Sequence, residues 1–176
     1  MISIGRLALL GGIGYLGYRY ISRSYPTVLT GTAARDYIVD YYRSEFRGYP
    51  GAEAVARAAA VNAYAESAWD SRAVGDSGHS VGLFQLYDKG LGQSVALPLV
   101  DGKPDPSDPR FSPRIQCKLT CEAVRQSSGM MAFVTSDAAT VEAATFAFCV
   151  YIEKPADSTT RGSERMALVS KLGLGL

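Results

Sequence analysis

The feature that most constrains the fold of this chain is an alanine-rich segment, GAEAVARAAAVNAYAESAW, at positions 51–69. Alanine has the highest intrinsic helix propensity of the amino acids. A run of such small side chains also lets neighbouring helices approach closely. The segment therefore predicts a buried central helix, and a length of 176 residues leaves room for one domain around it plus an appendage.

Capping residues and prolines predict four more helices around the central one. They begin at Thr30 or Thr32, at Ser112-Pro113, at Ser136 and at Asp157 or Ser158, and the last ends at Gly173. Residues 70–88 are rich in Gly, Ser and Asp, which predicts an irregular loop or a short pair of strands. Residues 88–113 carry five prolines and predict a surface excursion. The expected fold class is therefore mainly α, with a small irregular or β element.

Composition excludes several classes of function. Eighteen basic and seventeen acidic residues give a net charge of +1, which supplies no electrostatic basis for binding nucleic acid. Three cysteines, an odd number, exclude a disulfide framework, and one histidine without a Cys-x-x-Cys pair disfavours a metal site. Cys117 and Cys121 lie one helical turn apart and are expected to be buried thiols. No metal or organic cofactor is expected.

The N-terminus carries an apolar run at residues 2–21, interrupted by Ser3, Arg6 and Arg19. Roughly 20 apolar residues suffice to cross a bilayer, and the tyrosines and arginines after the run are typical of interfacial anchors. A cleaved signal peptide, a buried core helix and an uncleaved membrane anchor are the alternatives. The bulky flank YRYISRSYP disfavours cleavage. The favoured organisation is a transmembrane helix at residues 1–25 and a domain at residues 26–176.

Glu66 is the residue of greatest chemical interest, because it stands at the C-terminal end of the alanine-rich helix. Apolar surroundings and the partial negative charge of a helix C-terminus both favour the protonated carboxyl. A protonated carboxyl near neutral pH is what general acid catalysis requires. An exposed glutamate without a role is the alternative that the residues themselves leave open.

Two motifs resemble the lysozyme-like superfamily, which includes soluble lytic transglycosylases, goose-type lysozymes and phage tail lysozymes. The first is Glu66-Ser67 followed by GHSVGLFQ at positions 78–85, which matches the pattern G-x-S-x-G-L-F-Q. The second, FAFCVYIEKPADSTTRGSERMA at positions 146–167, resembles a signature of phage tail lysozymes, and Gln116 also resembles a glutamine of that family. The resemblance covers roughly residues 32–170 and implies a lysozyme-like fold of the α+β kind, with the small β element beside the catalytic helix.

The resemblance implies that Glu66 protonates the glycosidic oxygen between N-acetylmuramic acid and N-acetylglucosamine in peptidoglycan. The residues that it implies for substrate binding, together with one aromatic candidate, are Ser67, Gly78, Ser80, Gly82, Gln85 and Tyr151. For the two glycines, ordinary turns are the alternative to close approach of a sugar. Tyr151 and Trp69 suit either the core or a platform on which a sugar ring stacks.

A mechanism with two carboxylates needs a second acid near Glu66. Asp76 and Asp88 are the candidates, while Asp70 is expected to cap a turn. If neither serves, the chemistry resembles that of a lytic transglycosylase, in which a hydroxyl of the substrate closes an anhydro sugar. Glu153, in the sequence Glu-Lys-Pro, is expected to form a structural salt bridge with Arg161 or Arg165, and His79 to be a solvated loop residue.

The resemblance thus implies a lysozyme or lytic transglycosylase of a phage virion, which opens the cell wall during genome delivery. Its expected partners are glycan strands of peptidoglycan, the membrane that holds the N-terminal helix, and other virion structural proteins. No nucleic acid partner is expected. A bacterial transglycosylase of the cell envelope is one alternative. The other is a virion structural or cell-wall-binding protein that keeps the fold without catalysis.

Overall fold

The computed structural model describes residues 28–175 of the chain. The described part is mainly α-helical, as the sequence predicts. It contains six helices: α1 (Gly31–Glu45), α2 (Ala52–Ser67), α3 (Pro113–Gln126), α4 (Ser128–Val134), α5 (Val141–Phe148) and α6 (Ser158–Lys171). None of these helices has the length and apolar character needed to cross a membrane. The predicted anchor at residues 1–25 lies outside the described residues, so it stays a prediction.

Helix α2 is the central element, as the alanine-rich segment predicts. Residues 54–56 and 58–63 are all buried, so the helix keeps no broad polar face. It packs against α1, α5 and α6. Trp69 follows its end with a buried indole whose Nε1 donates a hydrogen bond to the Ala60 carbonyl over 2.7 Å. Trp69 therefore belongs to the core, which leaves it no surface for stacking a sugar.

A three-stranded antiparallel sheet follows α2, and its order is β1 (Val74–Gly75), β2 (Ser80–Val81), β3 (Leu86–Tyr87). Val81 pairs with Val74 on one side and with Leu86 on the other. The side chains of Val81 and Leu86 in the sheet are buried, and so are those of Leu83 and Phe84 in the turn between β2 and β3. The predicted small β element is thus present, and it has three strands instead of two.

The excursion at residues 88–112 is tied to the sheet by Arg110, which is fully buried. Its Nη1 donates hydrogen bonds to the carbonyls of His79, over 2.6 Å, and Leu86, over 3.1 Å. Its Nη2 forms an ion pair of 2.8 Å with Asp108, which is also buried. A buried charge needs a partner and satisfied donors, and Arg110 has both. The proline-rich segment is therefore anchored to the sheet.

One additional helix and one helix boundary differ from the prediction. Helix α4 was not predicted, and α5 begins at Val141 instead of directly after Ser136. The Thr140 hydroxyl caps α5 by accepting a hydrogen bond from the Ala143 amide, whereas the Ser136 hydroxyl accepts one from Ala138 within a turn. After α5 the chain continues as a π-helical turn, Cys149–Glu153, which ends at Lys154 with a left-handed φ of 52°.

Candidate active site

A cleft of about 990 Å³ lies between the helices and the small sheet. Glu66 lines it from the end of α2. One wall comes from the sheet and the residues after it, between positions 76 and 91. The other wall comes from the junction of α3 with α4 and from positions 151–155 around the π-helical turn. The volume is within the range of ligand-binding clefts in proteins, roughly 300–1,000 Å³.

Glu66 presents its carboxylate to the cleft while remaining partly buried, with 24% of its side chain exposed. Its Oε1 accepts a hydrogen bond from Nη2 of Arg165, a buried residue of α6. The surroundings of Glu66 are therefore charged as well as apolar. The sequence predicts the burial of this helix end but not the guanidinium beside it.

Arg165 has three partners. Its Nη1 donates a hydrogen bond of 2.8 Å to Asn62 Oδ1 and also forms an ion pair with Glu153. Glu153 lines the same cleft, and only 9% of its side chain is exposed. The predicted salt bridge of Glu153 is thus present with Arg165. Its extension to Glu66 was missed because it joins residues 99 positions apart in the chain.

Asp76, Ser80 and Gln85 lie on the wall formed by the sheet. The Ser80 hydroxyl donates a hydrogen bond to Asp76 Oδ2, so these two predicted site residues are in direct contact. Asp76 adopts a left-handed φ of 47°, in the tight turn between β1 and β2. Such strain is often stored near functional sites. Gln85 is held by a hydrogen bond from its Nε2 to the Gly82 carbonyl, over 3.0 Å.

Ser67, Gly78 and Gly82 are not among the residues that line the cleft. The Ser67 hydroxyl donates to the carbonyl of Ala63 or Leu83, which lie 2.9 and 3.0 Å away. A Cβ atom at Gly78 would come within 3.1 Å of the Gly102 carbonyl, so this glycine packs against the excursion. The observed contacts of these residues are with other parts of the protein, and their contact with substrate stays a prediction.

Gly82 packs against Gln116, the glutamine singled out by the family resemblance. A Cβ atom at Gly82 would lie 2.0 Å from Gln116 Nε2. Gln116 is fully buried, and its Oε1 accepts a hydrogen bond of 3.0 Å from the Phe84 amide. The glycine thus leaves room for a side chain from α3 that holds the β2–β3 turn in place.

Two tyrosines border the cleft with exposed rings. Tyr151, on the helical wall, is 45% exposed, and Tyr87, on the sheet, is 41% exposed. The ring of Tyr151 lies over Gly129, where a Cβ atom would come within 2.5 Å of it. Aromatic faces of this kind offer an apolar surface to a sugar ring. Tyr151 is therefore available for stacking, whereas Trp69 is not.

His79 lies in a turn with 36% of its side chain exposed, and it has a partner that the sequence does not reveal. Its Nδ1 lies 2.7 Å from Asp88 Oδ2, and this contact holds the pKa of Asp88 below its usual range. Asp88 is not among the residues lining the cleft, which leaves Asp76 as the second-acid candidate that faces it. The predicted turn cap is present, because the Arg72 amide donates to Asp70 Oδ1 over 2.8 Å.

The remaining titratable groups offer no metal-binding cluster within residues 28–175. Cys117 and Cys121 are fully buried free thiols, as predicted. Burial raises the pKa of Cys121 to about 12, so this thiol is neutral over the physiological range.

Comparison of the chain with models of known protein families, with curated proteins and with solved structures gives no significant match. The case for a function therefore rests on the cleft. Five of the predicted site residues meet there: Glu66, Asp76, Ser80, Gln85 and Tyr151. Glu153 lines the cleft with them, and Arg165 contacts both Glu66 and Glu153, a link that the sequence does not reveal.

Proposed function

We propose that this protein is a glycosidase that cleaves the β-1,4 bond between N-acetylmuramic acid and N-acetylglucosamine in peptidoglycan, as a lysozyme or a lytic transglycosylase. The observation that carries the proposal is the position of Glu66. Glu66 stands at the end of the buried helix α2 and lines an open cleft, which Asp76 of the β1–β2 turn also lines. The motif resemblance in the sequence identifies the same residue independently.

In this proposal Glu66 is the general acid. It donates its proton to the glycosidic oxygen as the bond from that oxygen to C1 breaks. In hydrolysis, the oxygen of a water molecule bonds to C1 in place of the leaving sugar, and Asp76 is the carboxylate available to accept the proton that the water releases. In transglycosylation, a hydroxyl of the muramic acid attacks C1 and closes an anhydro ring, and its proton passes to the Glu66 carboxylate, which restores the acid. Ser80 fixes the Asp76 carboxylate by its hydrogen bond, and Tyr151 offers a face for a sugar ring.

The setting of the enzyme is part of the proposal. A catalytic domain tethered to a membrane by residues 1–25 and carried in a phage virion would open the cell wall locally during genome delivery. Glycan strands, a membrane and virion structural proteins are its proposed partners. A bacterial enzyme of the cell envelope would use the same cleft and the same chemistry.

One observation favours the alternative of a non-catalytic wall-binding protein. Arg165 pairs with Glu66, and a neighbouring guanidinium favours the charged form of a carboxylate, whereas a general acid must carry a proton. Such a protein would still bind glycan strands in the cleft without cleaving them. Activity measurements on a charge-neutral variant of Glu66 separate the two functions.

The decisive variant is Glu66→Gln, which keeps the shape of the side chain and removes its proton. General acid catalysis contributes ~10²–10⁴-fold, so clearing of purified peptidoglycan should fall by about that factor. Glu164→Gln is the matched control, because Glu164 is exposed on α6 next to Arg165 in the chain. A Glu66→Gln protein that clears cell walls as fast as the native chain contradicts the assignment.

The released fragments distinguish the two reactions. Mass spectrometry should find anhydro ends if the enzyme is a transglycosylase and reducing ends if it is a hydrolase. In the hydrolase case, Asp76→Asn should reduce the rate as well. Intact glycan strands that co-sediment with both native protein and Glu66→Gln would instead support the wall-binding alternative.

A further inference from the structure

Glu66, Arg165 and Glu153 form one cluster that is assembled from three elements, and its two glutamates line the cleft. Arg165 of α6 gives its Nη2 to Glu66 of α2 and its Nη1 to Glu153 of the π-helical turn. The two carboxylates therefore bind the two terminal nitrogens of a single guanidinium. Arg165 is only 5% exposed, so solvent screens these contacts weakly.

The position of the guanidinium is fixed independently of either carboxylate. Asn62 Oδ1 accepts a hydrogen bond from Arg165 Nη1 over 2.8 Å, while its Nδ2 donates to the carbonyls of Ala58 and Thr145 over 2.8 and 3.2 Å. The close approach of α6 is helped by Gly162, where a Cβ atom would meet the Phe146 ring at 2.6 Å. Arg165 thus stays between the two carboxylates because the packed helices hold it there.

Glu153 is unusual because it is nearly buried and yet incompletely bonded. Neither of its carboxylate oxygens has a hydrogen-bond partner within the described part of the chain, although Oε2 forms the ion pair with Arg165. Burying a carboxylate whose oxygens lack hydrogen-bond partners costs folding free energy. An ion pair that only stabilised the fold would not require Glu153 to line the cleft. One positive charge is also shared between two negative ones, so neither carboxylate receives the whole of it.

We propose that Glu153 is a positioning residue for Glu66: by sharing Arg165, it keeps the guanidinium from neutralising Glu66 fully and so lets Glu66 hold a proton. The inference rests on the proposed function, since the donor role of Glu66 belongs to it. With Arg165 shared in this way, Glu66 can act as an acid although it is paired with a guanidinium. Removing the charge of Glu153 would leave the whole guanidinium charge to Glu66.

Other titratable groups near Glu66 also contribute to the electrostatic potential at its carboxylate. Cys149, in the π-helical turn, interacts electrostatically with Glu66, Arg165 and Arg161, but burial raises the pKa of its thiol and keeps it neutral. Asp76 faces the cleft from the sheet, and Lys154 borders it next to Glu153. The charges of Asp76 and Lys154 are in contact with the open cleft, where solvent screens them more than it screens Arg165.

The first test uses the full-length native protein labelled with ¹³C at the glutamate carboxyl carbons. Two carboxylates on one guanidinium should titrate as a coupled pair, so the Glu66 and Glu153 signals should each move in two steps with shared midpoints. The signals are assigned from spectra of Glu66→Gln and Glu153→Gln. Two independent single-step titrations would overturn the proposal.

The second test follows cleavage of peptidoglycan against pH in Glu153→Gln, with Glu164→Gln as the control. Loss of a charge within a few ångströms typically moves a titration by ~1–3 units. The alkaline limb of the rate profile should therefore move to lower pH by at least about one unit in Glu153→Gln. It should stay in place in Glu164→Gln, and the Glu66 carbon signal should follow the same pattern.

The outcomes separate this inference from the proposed function. A folded Glu153→Gln protein with an unmoved alkaline limb and an unmoved Glu66 signal overturns the positioning role. If Glu153→Gln does not fold, the coupled titration of the native protein still decides the question. Coupled titration in a native protein that cleaves no peptidoglycan supports the shared guanidinium and contradicts the proposed glycosidase.

Discussion

The β2–β3 turn in the cleft wall requires a residue without a Cβ atom at Gly82. Its φ of 82° is left-handed, and an added Cβ atom would lie 2.0 Å from Gln116 Nε2. Gly82→Ala should therefore incur both a backbone cost of about 1–2 kcal/mol and the cost of displacing a buried side chain, about 1–3 kcal/mol. The free energy of unfolding, measured with a chemical denaturant, checks the sum.

Gly48→Ala is the control for the backbone cost. Gly48 has a similar φ of 89°, but a Cβ atom there would meet no atom of residues 28–175 within 4 Å. The difference between the two variants then measures the close contact with Gln116 alone. Equal destabilisation by both substitutions would mean that Gln116 adjusts freely and does not hold the β2–β3 turn.

The residues of the site differ in how far the sequence predicts them. Glu66 is predictable because it ends an alanine-rich helix and stands in a recognisable motif. Its partner Arg165 is not, because the ion pair spans 99 positions and depends on how α6 packs against α2. The role of Gly82 is hidden for the same reason, since Gln116 approaches it from a different helix. Side chains that meet through tertiary packing leave no local signal.

Among the helices, α1 and α2 are joined by a charged contact at their shared turn. Glu53 of α2 accepts two hydrogen bonds from Arg43 of α1, over 2.6 and 2.7 Å, and one from Arg57, over 2.6 Å. The Arg43 contact, followed by that of Arg57, lowers the pKa of Glu53 from 4.5 to about 2. The contact therefore stabilises the folded state fully above a pH of about 4.5, and this contribution is lost as the pH falls through about 2.

Glu53→Gln should lower the free energy of unfolding at neutral pH by about 1 kcal/mol, the scale of two partly exposed ion pairs. The difference from the native protein should shrink below a pH of about 4.5 and vanish near 2. Urea titrations across this range measure it. Glu122→Gln is the control, because Glu122 has one distant partner, Lys118 at 3.8 Å, on an exposed face of α3. A difference independent of pH would contradict the ionic origin.

The helices follow the sequence best where a local cap defines the start. Asp157 caps α6 by accepting a hydrogen bond from the Thr160 amide, which is visible as a sequence pattern. Helix α4 has only seven residues and is stabilised by the burial of Met130 and Val134. Short helices gain little from propensity and depend on tertiary packing. The Ser127 hydroxyl caps α4 by accepting a hydrogen bond from the Met130 amide over 3.2 Å, but a cap alone does not make so short a helix stable.

At the scale of the whole molecule, the cleft exists because two differently built parts meet. The helical part is organised around α2, whose small side chains let α1, α5 and α6 approach it. The sheet carries little core of its own and is tied to the excursion by Arg110. Glu66 stands where the two parts join, and this is why a residue at the end of the most buried helix still faces an open cleft.

The membrane anchor is the prediction that concerns the chain as a whole. Residues 2–21 are apolar over a length that suffices to cross a bilayer, while residues 28–175 bury a core of their own. The full-length protein should sediment with membranes and resist extraction with alkaline carbonate. A truncated chain that begins at Pro26 should be soluble and keep both its fold and its activity on peptidoglycan.

The competing interpretation, a buried helix at residues 2–21, makes the opposite prediction for both chains. Removal of a core helix would expose the apolar surface that it covered, so the truncated chain would aggregate or melt at a much lower temperature. The full-length protein would then be soluble without detergent. Thermal unfolding of the truncated chain and membrane flotation of the full-length chain are independent measurements. Because a spanning helix and a core helix cannot both satisfy the same apolar run, the two results together assign residues 2–21 to the membrane or to the domain.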